Sequence, residues 1–140
     1  KRLYDEHGVR RYYVGGALGV DMWAGELILR LKEQPGYGDI ELVVVLPFEG
    51  HDSKWDERSK RRMDFLLRMC SDCVVIGKED CRENYIKRNC YMVDHADYLV
   101  AVYDNERNLR SGTMQTVRYA QNKGITISFV NPDTATVTTN

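Results

Sequence analysis

No run in this 140-residue chain is apolar for long enough to span a bilayer, and its first residues lack the pattern of a secretory leader. Positive charge is not in excess. Twenty lysines and arginines face 21 acids, a net charge of -1, which leaves little with which to wrap a nucleic-acid backbone. Cysteine is sparse, and its spacing excludes a zinc ribbon: Cys70 and Cys73 form a C-x-x-C, but eight residues separate Cys81 from Cys90. Cys73 opens the apolar run "CVVIG", where a small thiol is expected to pack inside. These absences describe a protein with reduced thiols, no metal, no membrane span and a cytoplasmic setting. Because the chain begins at Lys1 rather than Met, a trimmed or processed N-terminus is also expected.

The chain is long enough to bury one real core, and its apolar pattern alternates in kind. Runs rich in Val, Ile and Tyr at 11–16, 40–47, 72–78, 97–104 and 125–130 read as strands. They show no clean in/out alternation, as expected of strands covered on both faces. Helical patterns separate them, over roughly 54–70, 83–94 and 112–123, the last stopped by Gly124. Val20, Trp23, Ala24, Leu27, Ile28 and Leu31 fall on one helix face, expected to be the core side. On the 83–94 helix, Asn89 is placed inward with Tyr85 and Met92. Lys1 to Gly8 reads as the tail of another helix. Strand-helix alternation predicts an α/β fold with a mostly parallel sheet between helices, a Rossmann-like three-layer sandwich. A single domain over 1–131 is expected, with a loose polar tail over 132–140.

In such sheets ligands bind beyond the carboxyl ends of the strands, where helix N-termini point. After the first strand comes "GGALGVD", and a second glycine turn, Ser111–Gly112–Thr113, precedes the last helix. Either turn suits an anion held by backbone N–H groups, or simply a tight strand-to-helix connection. Known nucleotide motifs are absent. Gly15, Gly16 and Gly19 do not follow G-x-G-x-x-G, and no G-x-x-x-x-G-K-[ST] occurs. No G-x-S-x-G occurs, and the adjacent His51, Asp52 and Ser53 cannot face one another as a triad.

Four blocks, "GGALGVDMWAGELILRLK", "PFEGHDSKW", "RNCYMVDHADYLVAVYD" and "SGTMQTVRYA", resemble in order and spacing the YpsA-like family, of bacterial or phage type. That family lies in the SLOG superfamily with DprA and the lonely-guy phosphoribohydrolases. The resemblance implies a Rossmann-like sheet whose loops bind a nucleotide or nucleotide-derived ligand. Family members open with a further strand ending in T-G-[HY]-[RK], so the first strand of the sheet is expected to be missing from this chain. The phosphoribohydrolases carry G-G-x-G-T-x-x-E, whereas Thr116 stands here three places after Thr113 in place of the catalytic Glu.

The candidate ligand-binding residues are Gly15, Gly16, Ala17, Gly19, Asp21, Pro47, Phe48, Glu49, Trp55, Asp104, Ser111, Gly112, Thr113 and Thr116. Asp21 is read either as a carboxylate stabilising its helix N-terminus or as an acceptor for a ribose hydroxyl. Glu26 lies a turn deeper, suited to buttressing the loop. Trp23 is read as core, whereas Trp55 opens a helix after a polar loop, where a base can stack on it. Glu49 and Asp21 are the candidate acids or bases for any chemistry. Lys54, Arg58, Lys60, Arg61 and Arg62 form a basic run diluted by Asp56, Glu57 and Asp64, read as a solvated face. The reading is of a sensing or regulatory module for a nucleotide-like small molecule, without cofactor or nucleic-acid partner, and homo-oligomeric by analogy with relatives. The alternative is a nucleotide N-glycosidase resembling the phosphoribohydrolases, and a third reading is a scaffold with a vestigial pocket.

Overall fold

The computed structural model describes residues 1–102, 111–131 and 133–139. They cluster in two compact units, Lys1–Asn84 and Tyr85–Asn140. In the first, helix α1 (Arg2–His7) leads to strand β1 (Arg11–Val14), helix α2 (Val20–Glu33), strand β2 (Glu41–Phe48), helix α3 (Glu57–Met69) and strand β3 (Asp72–Gly77). The sheet order is β1-β2-β3, all parallel, with Val14 opposite Val44 and Phe48 opposite Gly77. Parallel neighbours need a crossover helix, and right-handed crossovers along this order put α2 and α3 on the same face.

β2 is the centre of that sheet and is buried from Leu42 to Phe48. Its Leu42, Val44 and Leu46 meet Val14, Met22, Leu29, Met63 and Leu66 in one core cluster, while Val43, Val45 and Pro47 are buried in the intervening positions. This matches a strand covered on both faces. β3 departs from the expectation. Cys73 is exposed rather than packed inside, and so is Val75, because an edge strand lacks the second neighbour whose side chains would cover it.

The stripe expected to bury α2 is also corrected. Met22, Gly25 and Leu29 are its buried residues, whereas Val20, Trp23 and Leu27 are exposed. The buried side is turned nearly half a revolution from the predicted one. Only Ala24 and Ile28 of the expected stripe pack against the core cluster.

At the amino edge of the sheet, α1 buries no residue and is held by polar contacts instead. The Tyr4 hydroxyl meets the Gly36 carbonyl at 2.9 Å and the Asp39 carboxylate, which also accepts from Arg10 Nε at 2.9 Å.

α3 starts with a true side-chain cap. Asp56 accepts from the Ser59 backbone N–H at 2.8 Å and from its hydroxyl at 2.9 Å. Those bonds, the backbone one foremost, hold the Asp56 carboxyl below its ordinary value of 3.8. A depressed folded-state value contributes stability above the unfolded one, and that contribution is lost as pH falls through the folded value. Asp56→Asn, which keeps a capping oxygen but cannot titrate, should flatten the acid limb of stability below about pH 4. Urea midpoints measured from pH 2 to pH 6 check this; parallel acid limbs in both proteins would remove Asp56 as their source.

Helix α4 (Arg82–Asp94) crosses the division between the units. Its buried polar residues are Asn84 and Arg88, while Asn89 is half-buried and Tyr85 exposed, so the inward face expected through Asn89 and Tyr85 is rotated. The second unit continues with strand β4 (Tyr98–Val102), helix α5 (Ser111–Lys123), strand β5 (Thr126–Val130) and strand β6 (Val137–Thr139). β4 and β5 are parallel; β5 and β6 are antiparallel, with Ser128 opposite Thr139. β6 thus forms within the stretch read as a loose tail. Val93, Ala101, Val117, Ala120 and Ile127 make this unit's core. The chain is α/β, with helix-crossed parallel strands of Rossmann-like build.

Candidate functional site

β1 stops pairing at Val14, opposite Val44, while β2 runs on to Phe48. The turn that leaves β1 therefore lies across the last residues of β2. A Cβ at Gly16 would stand 2.7 Å from Leu46 Cδ2 and 3.4 Å from His51 Nε2. Gly15 and Gly16 are buried, Ala17 is half-buried and Gly19 is exposed.

Two side chains fix this turn. Gly15 N–H donates to Asp21 Oδ2 at 3.1 Å, and the Gly16 carbonyl accepts from His51 Nε2–H at 2.8 Å. Asp21 comes back from the first turn of α2, and His51 comes from the loop after β2. Asp21 therefore has a structural task that neither sequence reading assigned to it. The end of α2 beside the turn is built differently from that of α3. Its N-cap is Gly19, with no side-chain cap, although the main chain closes through Trp23 N–H to the Gly19 carbonyl at 3.0 Å. Met22 N–H also donates to the Ala17 carbonyl at 3.2 Å, so a start without a side-chain acceptor leaves the N–H groups ahead of Met22, and the positive end of the helix dipole, to solvent or to an anion.

The remaining residues of the first unit fall around this turn. His51 and Trp55 meet edge to face, ring centroids 5.2 Å apart at 74°, and Trp55 also packs on the core cluster. Glu49 is exposed, whereas Pro47 and Phe48 are buried in β2 beneath the loop. Glu26, expected to buttress the loop, instead accepts from Arg62 Nε at 3.0 Å and ties α2 to α3. That bond, and Lys60 Nζ 3.8 Å from Glu57, draw two of the basic run into ion pairs. Among the described residues, no three His, Cys, Asp or Glu side chains gather as a metal would require, and no helix is long and apolar enough to cross a membrane.

In the second unit, Ser111, Gly112 and Thr113 open α5, with Thr113 and Thr116 half-buried. Asp104 lies outside the described residues.

The sequence reading missed His51 as a site residue. Its neighbours Asp52 and Ser53 suggest only a triad, and its partner Gly16 lies 35 residues earlier. The signal was positional: the loops after adjacent parallel strands open at the same edge.

The model of the YspA SLOG family (YpsA) matches residues 1–135, a span that holds both glycine turns and all the loops between them. This chain belongs to that family. The resemblance read from the four sequence blocks is thereby confirmed. Among its relatives, a UPF0398 protein of Staphylococcus epidermidis is 27% identical over 109 residues, covering 76% of this chain and 56% of that protein. UPF0398 proteins of Bacillus cereus and Bacillus thuringiensis are each 29% identical over 104 residues, covering 73% of this chain and 55% of theirs. The chain thus spans little more than half the length of these relatives.

Proposed function

We propose that this chain binds a nucleotide or nucleotide-derived small molecule at the carboxyl edge of β1–β3, as a sensing or regulatory module. One observation carries the reading. A glycine turn held by Asp21 on one side and His51 on the other leads into a helix start without a side-chain cap. A phosphate there would be met by backbone N–H groups and the helix dipole, with no rearrangement of a pinned loop. Trp55, half-buried and steadied by His51, offers a ring on which a base can stack. The turn at Ser111–Thr113, which opens α5, is read as an anion-binding turn in its own right. The four free cysteines suit a reducing compartment, and we place the protein in the cytoplasm.

A thermal-shift panel of nucleoside mono-, di- and triphosphates, cyclic nucleotides, ADP-ribose and NAD tests this, with each mixture then analysed by mass spectrometry. A ligand present at about 100 times its dissociation constant should add about 2.7 kcal/mol to stability, and it should be recovered intact. Trp55→Leu should weaken binding by about 1–3 kcal/mol if a base stacks there. Release of free base and sugar phosphate would instead favour the N-glycosidase reading. Asp21 is engaged with Gly15, and Thr116 stands where the phosphoribohydrolases carry their acid, so Glu49 would carry that step and Glu49→Gln would stop it without preventing binding. No shift with any member of the panel would sink both readings for this chain.

A further inference from the structure

Along α2, Val20, Trp23, Leu27 and Arg30 follow the i, i+3, i+7, i+10 spacing of one helix face, and Arg58, Arg61, Phe65 and Arg68 repeat it along α3. All eight are exposed and lie opposite the residues that each helix buries, so both stripes face away from the sheet. Trp23 is 58% exposed, and Leu18 and Met69 widen the apolar part at either end. Neither stripe contains an acid. Most acids of the two helices are engaged inside the chain: Asp21 accepts from Gly15 N–H, Glu26 from Arg62, and Glu57 lies 3.8 Å from Lys60 Nζ. What remains, among the described residues, is Arg30, Lys32, Arg58, Arg61 and Arg68 against Glu33 and Asp64. Outside these two helices the chain carries 13 lysines and arginines against 16 acids. The layer is positive and the remainder negative, so an anionic surface attracts the one and repels the other.

We propose that the α2–α3 layer docks on an anionic lipid surface, its apolar side chains entering the headgroup region while its arginines meet lipid phosphates. Charge calls for an anionic partner, and the kind and placing of the apolar side chains select lipid. Leu18, Val20, Leu27 and Met69 are aliphatic; they suit acyl chains and offer nucleic-acid bases no ring to stack on. The seam between the helices is closed, because Leu66 packs on Gly25 beneath it and the Glu26–Arg62 pair bridges it. It therefore offers no groove for a peptide helix, and the side chains project toward a surface that can yield around them. Trp23 and Phe65 share their stripes with arginines, the pairing of aromatic ring and cation that settles at the level of lipid headgroups. Such a contact is peripheral and needs no helix that crosses the bilayer. Leu18 and Val20 flank Gly19, so the docked layer borders the glycine turn, but docking itself does not depend on any ligand.

Flotation of the 140-residue chain with vesicles is the test, using phosphatidylglycerol mixed with phosphatidylcholine against phosphatidylcholine alone. The chain should float with the first and not with the second, and about 0.5 M salt should release most of it. Trp23→Glu and Phe65→Glu should each cut partitioning about tenfold or more, since each removes an apolar anchor and adds a repelled charge. Val75→Glu adds the same charge at an exposed position outside the layer and should change partitioning less than about twofold. Arg58→Gln, Arg61→Gln and Arg68→Gln together, all at exposed positions, should cut it about 100-fold, near fivefold for each cation. Circular dichroism checks that every variant keeps its helices. Equal flotation with both vesicles, or with neither, overturns the proposal. Loss with Val75→Glu but not with Trp23→Glu also overturns it and moves the contact to β3. Retention by poly-glutamate or by a single-stranded oligonucleotide, with vesicles ignored, overturns it too and leaves the layer to an acidic protein or a nucleic acid.

Discussion

Replacing Gly16 by alanine should cost about 3 kcal/mol of stability, and it should abolish any nucleotide-induced shift at the first glycine turn. Two causes add. Gly16 has φ +68°, a left-handed conformation that an L side chain adopts at a cost of about 1–2 kcal/mol. A new methyl would also stand 2.7 Å from a methyl of Leu46, which is buried in the core cluster and has little room to retreat. Overpacking of that kind costs about 1–3 kcal/mol. Gly8 separates the two causes, because it shares φ +68° and a Cβ there would meet nothing within 4 Å. Gly8→Ala should therefore lose only the backbone share, about 1 kcal/mol. Both tryptophans lie in the first unit, so tryptophan fluorescence during urea unfolding reads that unit directly. Equal losses in the two variants would mean that Leu46 moves aside and that the turn is not packed as described.

Leu66→Ala should cost about 3 kcal/mol, within the usual range of 2–5 for a buried leucine, since Leu66 is fully buried between α3 and the sheet. Its two methyls sit 3.2 Å from where a Cβ would stand on Gly25. Gly25→Ala alone gains roughly 1 kcal/mol of helix propensity but must push those methyls into a core without space for them. Net destabilisation of about 1 kcal/mol is expected. With Leu66 already truncated, the alanine at position 25 meets a cavity, and the same change should stabilise. The double variant should then be less damaged than the sum of the single ones by about 1–2 kcal/mol. Urea midpoints of the four proteins give the cycle directly. Additive effects would show that α2 and α3 do not meet through this pair.

Much of the fold is legible along the chain because its causes are local. Strand runs, helix periods and the glycine that ends α1 depend on residues within a turn or two of each other, and their positions agree with the structure to within a few residues. The orientation of α2 was not legible. Its sequence is apolar over a wide arc, and Gly25, which carries no hydrophobic weight in a periodicity, marks where Leu66 of α3 packs against α2. A count of apolar residues therefore chose Val20, Trp23 and Leu27 as the core face, while the packing of Leu66 chose Met22, Gly25 and Leu29. Cys73 was misplaced for a related reason: a strand's composition does not say whether it has one neighbour or two.

The candidate site divides in the same way. The sequence alone determined that a glycine turn joins a strand to a helix, and that Asp21 stands in that helix's first turn, because steric freedom and helix spacing are properties of consecutive residues. Only the tertiary structure decided that Asp21 holds Gly15 and that His51 holds Gly16. The second contact exists because parallel pairing sets Val14 beside Val44 and brings together two loops 35 residues apart. Register between strands, and the close approach of one helix to another, depend on every residue packed between them and on no short stretch of the chain.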